Sequence, residues 1–226
     1  DLRGPLRVLV VDDDEVDRLI VRRGLVRSPL HTVIDEAVPG DLIETGVWRG
    51  GASIFMRAAL VAYGDDSRTV WLADSFEGLP PPDPRYPADA HLDYSGISHL
   101  SVSLEDVQQR FARYGLLDER VRFLEGWFKD TLPTAPVARL AVLRLEGDMY
   151  ENTRDGIVNL YPKLSRGGTV ICDDYFLFEP HRTAVDEYRA AHCITYPIVR
   201  IDEFGNVMRR RDESGEILGN VFDEFG

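Results

Sequence analysis

Cysteine is scarce in this chain of 226 residues: only Cys172 and Cys193 are present, and they form no metal-type pair. Neither a disulfide framework nor a structural zinc site is expected, and a reducing cytoplasm is the expected compartment. Basic charge is also short, with 26 Lys plus Arg against 39 Asp plus Glu and a net charge of −13. A surface for nucleic acid or an anionic membrane needs clustered cations, and the one tight cluster, Arg209-Arg210-Arg211, is too small to supply it. No apolar run approaches the roughly 20 residues that span a bilayer. The acidic, proline-containing start is not expected to be a signal peptide. The five histidines are scattered without a ligand spacing, and Ser53 lacks the strand-turn-helix setting of a nucleophile elbow.

What remains is ample material for a core: 44% of residues are hydrophobic and 10% aromatic, which argues against intrinsic disorder. The length suits one large domain with a short appendage. Apolar runs of strand length occur at Leu6 to Val11, Asp41 to Thr45, Thr69 to Ala73, Val121 to Leu124, Leu140 to Leu145, Gly168 to Cys172 and Ile198 to Ile201. Stretches of helical period separate most of them, at Ala52 to Tyr63, Leu104 to Tyr114, Thr153 to Leu164 and Arg182 to Ala191. This alternation predicts an α/β fold, a mostly parallel sheet with helices on both faces. Gly115 and Gly167-Gly168 are expected helix stops, and Asp202 to Asn206 the turn of a final hairpin. The segment Glu77 to Ser101 carries five of the thirteen prolines and is too long for a simple connection, so it is expected to be a lid or binding loop.

Two groups of residues carry chemistry. From Glu44 to Gly51 a strand end leads through Gly46, Gly50 and Gly51 into a helix, and glycines there let the backbone approach a ligand outside the carboxyl ends of parallel strands. Asp74 ends the next strand, at the spacing where an acid meets ribose hydroxyls or, equally, caps a helix. The second group is acidic: Glu146-Gly147-Asp148 and Asp173-Asp174 each follow a strand. Carboxylates converging on one crevice call for a counter-charge, and oxygen-only ligands suit Mg²⁺. The bland alternative is that each acid caps the following helix.

From about residue 39 to 210 the chain resembles the macrocin O-methyltransferase family, S-adenosylmethionine-dependent enzymes that methylate sugar hydroxyls of macrolide and aminocoumarin antibiotics. The carriers are Asp41-Leu-Ile-Glu-Thr-Gly-Val-Trp-Arg-Gly-Gly51, Ala73-Asp-Ser-Phe-Glu-Gly-Leu-Pro80, Gly126-Trp-Phe-Lys-Asp-Thr-Leu-Pro133, Gly147-Asp-Met-Tyr150 and Asn159-Leu-Tyr-Pro-Lys-Leu164. The resemblance implies a Rossmann-like class I methyltransferase with a mostly parallel seven-stranded sheet and a C-terminal antiparallel hairpin. It implies that Glu44, Thr45, Gly46, Gly50 and Gly51, with Ser53, surround the methionine part of the cofactor, and that Asp74 and Ser75 meet its ribose. Gly126, Trp127 and Phe128 would lie near the adenine. Glu146, Asp173 and Asp174 fall on the Mg²⁺-ligand positions and Asp148 on the general base. The family normally has Asp where this chain has Glu146, whose extra methylene moves the carboxylate by about 1.5 Å.

The first 30 residues, with Leu6-Arg-Val-Leu-Val-Val-Asp-Asp-Asp-Glu-Val-Asp17, instead resemble the opening strand and helix of a response-regulator receiver domain. No phosphoacceptor follows before the methyltransferase-like region, so a phosphorelay is not expected. The expected organisation is a receiver-like arm over 1–38, a methyltransferase domain over 39–211 and an acidic tail over 212–226. The expected activity is S-adenosylmethionine- and Mg²⁺-dependent O-methylation of a sugar on a small glycosylated natural product, in the cytoplasm, by a homo-oligomer with no nucleic-acid or membrane partner. The alternative is an impaired methyltransferase-fold protein with a regulatory or assembly role.

Overall fold

The protein is described by a computed structural model covering residues 29–200 and 207–210. The receiver-like strand and helix, the turn 202–206 and the acidic tail lie outside the described residues. In chain order the elements are helix α1 (Pro29–Asp35), strand β1 (Asp41–Thr45), helix α2 (Gly51–Tyr63), β2 (Val70–Asp74), α3 (Leu104–Arg113), β3 (Val121–Glu125), the short α4 (Phe128–Thr131), β4 (Leu140–Leu145), α5 (Tyr150–Leu160), β5 (Leu164–Cys172), α6 (Glu179–Ala191), β6 (Val199–Arg200) and β7 (Val207–Arg210). The sheet runs β3-β2-β1-β4-β5-β7-β6. Strands β1 to β5 pair in parallel, whereas β7 is antiparallel to both β5 and β6.

Strand order reverses between β1 and β4, so a crevice opens there at the carboxyl edge. The central strands read as almost continuous apolar runs because both faces are covered. Leu42, Leu72 and Val142 pack on one face against Met56 and Leu60 of α2 and Val107 and Phe111 of α3. Ile43, Leu143 and Val170 pack on the other against Ile157 and Leu160 of α5 and Val185 and Tyr188 of α6. Local chemistry sets the helix ends. Ser103 caps α3 by accepting the Asp106 N–H, and Gly64 closes α2 in the left-handed conformation, its N–H reaching back to Leu60 and Val61.

Boundaries of α5, β5 and α6 differ from the sequence expectation, α6 starting at Glu179 and not at Arg182. Helix α5 begins at Tyr150 and yields at Tyr161–Lys163 to a 3₁₀ turn, where Pro162 has no N–H to continue the α-helical ladder. Strand β5 then starts at Leu164, so Gly167-Gly168 sit inside a strand and do not stop a helix. Gly167 has φ 75°, and the β4–β5 register shifts between Leu140 and Val142, so the pair marks a bulge. Gly115 does follow a helix end, bonded to the Ala112 carbonyl with φ 68°.

Helices α5 and α6 are tied by a buried polar contact: Thr153 Oγ1 and His181 Nδ1 lie 3.0 Å apart. The ring is fully buried and no hydrogen-bond partner meets its Nε2. Burial, opposed by the charge of Asp173, lowers the His181 pKa to about 4. The unfolded chain binds this proton below its ordinary pKa of 6.5 and the folded chain does not, so this residue's contribution to stability falls as pH drops from 6.5 to 4. A gap of that size corresponds to about 3 kcal/mol. His181→Asn, which keeps a hydrogen-bonding group but cannot titrate, is expected to lose most of that acid sensitivity relative to the parent in urea unfolding at pH 7 and pH 4.5. Identical pH dependence in the two proteins would show that the ring is not kept neutral by the fold.

Candidate active site

A cavity of about 360 Å³ lies at the carboxyl edge, lined by Gly46, Trp48, Asp74, Ser75 and Gly78 on one side and Glu146, Asp148 and Asn152 on the other. Leu79, Pro80, His99 and Leu100 from the long loop, with Trp127 and Phe128, complete the wall. The turn after β1 and the turn after β4 therefore face one space. They also touch: Gly46 has φ 83°, and a Cβ there would fall 1.8 Å from the Glu146 carbonyl oxygen, so no larger residue fits.

Asp74 has a structural duty as well as a place on the wall. Its Oδ2 accepts the backbone N–H groups of Val47 (2.6 Å) and Trp48 (3.2 Å), and its Oδ1 accepts that of Phe76 (2.8 Å). A carboxylate offers about four acceptor positions, and this one spends two on the glycine turn after β1 and one on its own turn after β2. Ser75 donates to the Gly78 carbonyl at 2.7 Å. The remaining members of the expected cofactor set stand behind the wall. Glu44, Thr45 and Ser53 are buried, Ser53 donating to Glu44 and Thr45 to the Arg144 carbonyl. Gly50 and Gly51 open α2, and Gly126 caps the turn after β3 by donating to the Asp74 carbonyl at 2.9 Å.

The acidic group is organised by a residue that sequence reading did not single out. Arg144 of β4 stands directly across from Glu44 in the sheet register and forms ion pairs with Glu44, Glu146 and Asp173, the last at 2.7 Å. Burial works against its charge, but Asp173, Glu146 and Glu44 outweigh that and hold its pKa above the ordinary value. The signal for it was a lone cation in the apolar run Leu140 to Leu145. Burial raises the pKa of Glu44, with Arg144 and Ser53 opposing. Glu146 is pushed well above the usual carboxylate range by burial, against the pull of Arg144, and no donor is aligned on its Oε2. Asp174 is raised to about 7 by burial and by Asp148 and Asp173; it accepts the Asp148 N–H, while its buried Oδ2 has no hydrogen-bond partner. Asp148 is raised to about 6 by burial and Asp173, and holds φ 44°, a left-handed conformation that Asp tolerates better than most residues.

Three carboxylates, those of Glu44, Glu146 and Asp173, thus share one guanidinium, and Asp148 and Asp174 stand beside them. The surplus negative charge, the hard oxygen donors and the orphaned Oδ2 of Asp174 fit a divalent cation. Among the described residues, however, no three His, Cys, Asp or Glu side chains stand ready as a ligand set, and Arg144 engages Glu146 and Asp173. The cavity's glycine turn and its Trp127–Phe128 wall fit a nucleoside with a flat base. No helix among the described residues is long and apolar enough to cross a membrane.

Comparison with known proteins gives a consistent result. A family model for macrocin O-methyltransferase matches residues 21–210. The chain is 52% identical to an 8-demethyl-8-(2,3-dimethoxy-alpha-L-rhamnosyl)-tetracenomycin-C 4'-O-methyltransferase of Streptomyces olivaceus, over 84% of this chain and 73% of that one. It is 52% identical to a demethyldecarbamoylnovobiocin O-methyltransferase of Streptomyces niveus, over 82% and 71%. The solved structure of the O-methyltransferase NovP superposes with a TM-score of 0.81 at 50% identity, covering 88% of this chain and 81% of the other. A calicheamicin methyltransferase, CalS11, shares the fold at 19% identity, with a TM-score of 0.64 and coverage of 80% and 75%.

Removing the buried cation leaves its carboxylates without compensation, a change that typically costs about 3 to 5 kcal/mol. Arg144→Met is expected to lose stability on that scale in urea unfolding at pH 7.5, and Arg144→Lys, which keeps the charge but not the fork, to lose less. A loss below about 1 kcal/mol in Arg144→Met would mean that the guanidinium does not hold the acidic group together.

Proposed function

The chain belongs to the macrocin O-methyltransferase family, and from that premise we propose that it methylates a sugar hydroxyl of a glycosylated natural product, using S-adenosylmethionine and Mg²⁺. The observation that carries this reading is the shared cavity: the glycine turn after β1 and the acidic turn after β4 line one space and touch through Gly46 and Glu146. Relatives named as O-methyltransferases of a rhamnosyl-tetracenomycin and of demethyldecarbamoylnovobiocin support the acceptor class.

On this reading the Gly46 turn, held in shape by Asp74, takes the amino-acid end of the cofactor. Asp74 has one acceptor position left for a ribose hydroxyl, and Trp127 and Phe128 flank the base. Bound S-adenosylmethionine would supply the electrophilic sulfonium methyl and depart as the neutral thioether, and a divalent ion would acidify and orient the acceptor hydroxyl. Glu146, Asp173 and Asp174 would hold that ion. Asp148, on the cavity wall, takes the acceptor's proton; a base needs reach to that proton and a pKa near the working pH. Leu79, Pro80, His99 and Leu100 cover the reacting groups and exclude water. The Glu146 side chain keeps about 30% exposure, so its longer arm reaches the cavity and Arg144 together. Oligomerisation is part of the proposal, since cyclic dimers are the commonest assembly among soluble homo-oligomers.

Calorimetric titration with S-adenosylmethionine is expected to show binding, and turnover of a desmethyl glycoside with a vicinal diol is expected to stop with EDTA and return with Mg²⁺. Asp148→Asn should bind the cofactor as the parent does and lose about 10² to 10⁴-fold in kcat. Full turnover in metal-free buffer would remove the ion from the mechanism. Absence of both cofactor binding and turnover would leave an assembly role as the better reading.

A further inference from the structure

The long loop between β2 and α3 does more than cover the cavity. Within it the 3₁₀ turn Pro87–Asp89 buries Asp89 completely. Its Oδ1 accepts the Tyr150 N–H at 2.6 Å and its Oδ2 the Glu151 N–H at 2.9 Å. These are first-turn amides of α5, a helix whose own N-cap position, Met149, gives no side-chain cap. An acid 61 residues upstream therefore caps the helix that begins two residues after Asp148. The turn it secures is a demanding one: Asp148 has positive φ and the Met149 N–H closes on the Gly147 carbonyl. Such a conformation persists only when its surroundings over-determine it. Ten residues beyond Asp89 the same loop is tied to the opposite side of the cavity, where the Trp48 indole N–H donates to the His99 carbonyl at 2.9 Å. Tyr86, three residues before Asp89, packs on the Tyr150 ring with centroids 5.6 Å apart.

We infer that Asp89 is a positioning residue for the proton-accepting turn, aiming the Asp148 carboxylate through the capped start of α5 and so making proton removal depend on the seating of the loop. The inference rests on the reading of Asp148 as the base. It differs from a lid that swings free: the loop is anchored at the glycine turn and at the base's turn. A misplacement of about 1 Å at a reacting group can cost about 10²-fold in rate, which sets the expected scale.

The test compares Asp89→Asn, Asp148→Asn and the double variant in the full chain, with kcat, both KM values and hydrogen exchange of the Tyr150 and Glu151 amides. Asp89→Asn is expected to expose those amides, lower kcat by about 10²-fold and leave the KM for S-adenosylmethionine within about twofold. In the double variant kcat should be no lower than in Asp148→Asn alone, since a displaced base that is already absent costs nothing more. Asp89→Glu, which keeps a buried acid but shifts it, should give the same non-additive pattern and serves if Asp89→Asn does not fold. Exposed amides with unchanged kcat, or a double variant slowed by the product of the two single effects, would overturn the positioning role while leaving Asp148 as base. An Asp148→Asn enzyme with parental kcat would refute the base, and the positioning role with it.

Discussion

The largely buried guanidinium of Arg144 sits where this architecture is electrostatically most demanding. Arg144 is the only charged side chain in the β4 run Leu140–Leu145, and the sheet register places it opposite Glu44 of β1. From there it reaches Glu146 at the end of its own strand and Asp173 at the end of β5. Three strand ends are cross-linked through one planar cation, a role a guanidinium fills better than an ammonium because several donors leave it in fixed directions. The pairs are made in a nearly dry setting, where unpaired charges would be costly. One cation for five acids still leaves the group short of positive charge. The same arrangement therefore provides rigidity and an unmet electrostatic demand on the cavity side.

That demand lies on one side of a shared partition. Gly46 lies against the Glu146 backbone too closely to admit a Cβ, and the Glu146 N–H donates to the Thr45 carbonyl, so the glycine turn and the acidic turn are tied together. Asp74 reinforces this: its Oδ2 accepts two amides of the turn that Gly46 opens, its Oδ1 accepts the Phe76 amide of its own turn, and its carbonyl receives the Gly126 N–H, linking β2 to the turn that leads into Trp127. Hydrogen bonds from the ends of β1, β2 and β3 thus converge on one edge, as expected at a reversal of strand order.

Much of the fold was legible in the sequence because buried parallel strands advertise themselves as apolar runs: Asp41–Thr45, Leu140–Leu145 and the core of α2 and α3 fall where hydrophobic period and capping residues place them. The start of β5 was not, since Gly167-Gly168 signals a break and only the pairing with β4 shows that the break is a bulge within a strand. Of the expected site residues, Gly46, Asp74, Ser75, Trp127, Phe128, Glu146 and Asp148 do line one cavity, whereas Glu44, Thr45 and Ser53 lie behind it. The role of Arg144 was hidden because ion pairing across strands depends on register, which one-dimensional pattern does not carry. Asp89 was hidden for a simpler reason: in a loop rich in acids and prolines nothing local distinguishes the one that is buried.

The burial of Asp89 also limits how this scaffold can diversify. Loops over an active site are the usual place to change what an enzyme accepts, because exposed segments tolerate exchange. Here a transplanted segment must deliver an acid to the start of α5, or two amide donors are left unpaired inside the protein. Acceptor preference can then be recast by grafting only around fixed points, with residue 89 and the backbone at residue 99 conserved as sockets and the sequence between and before them free to vary.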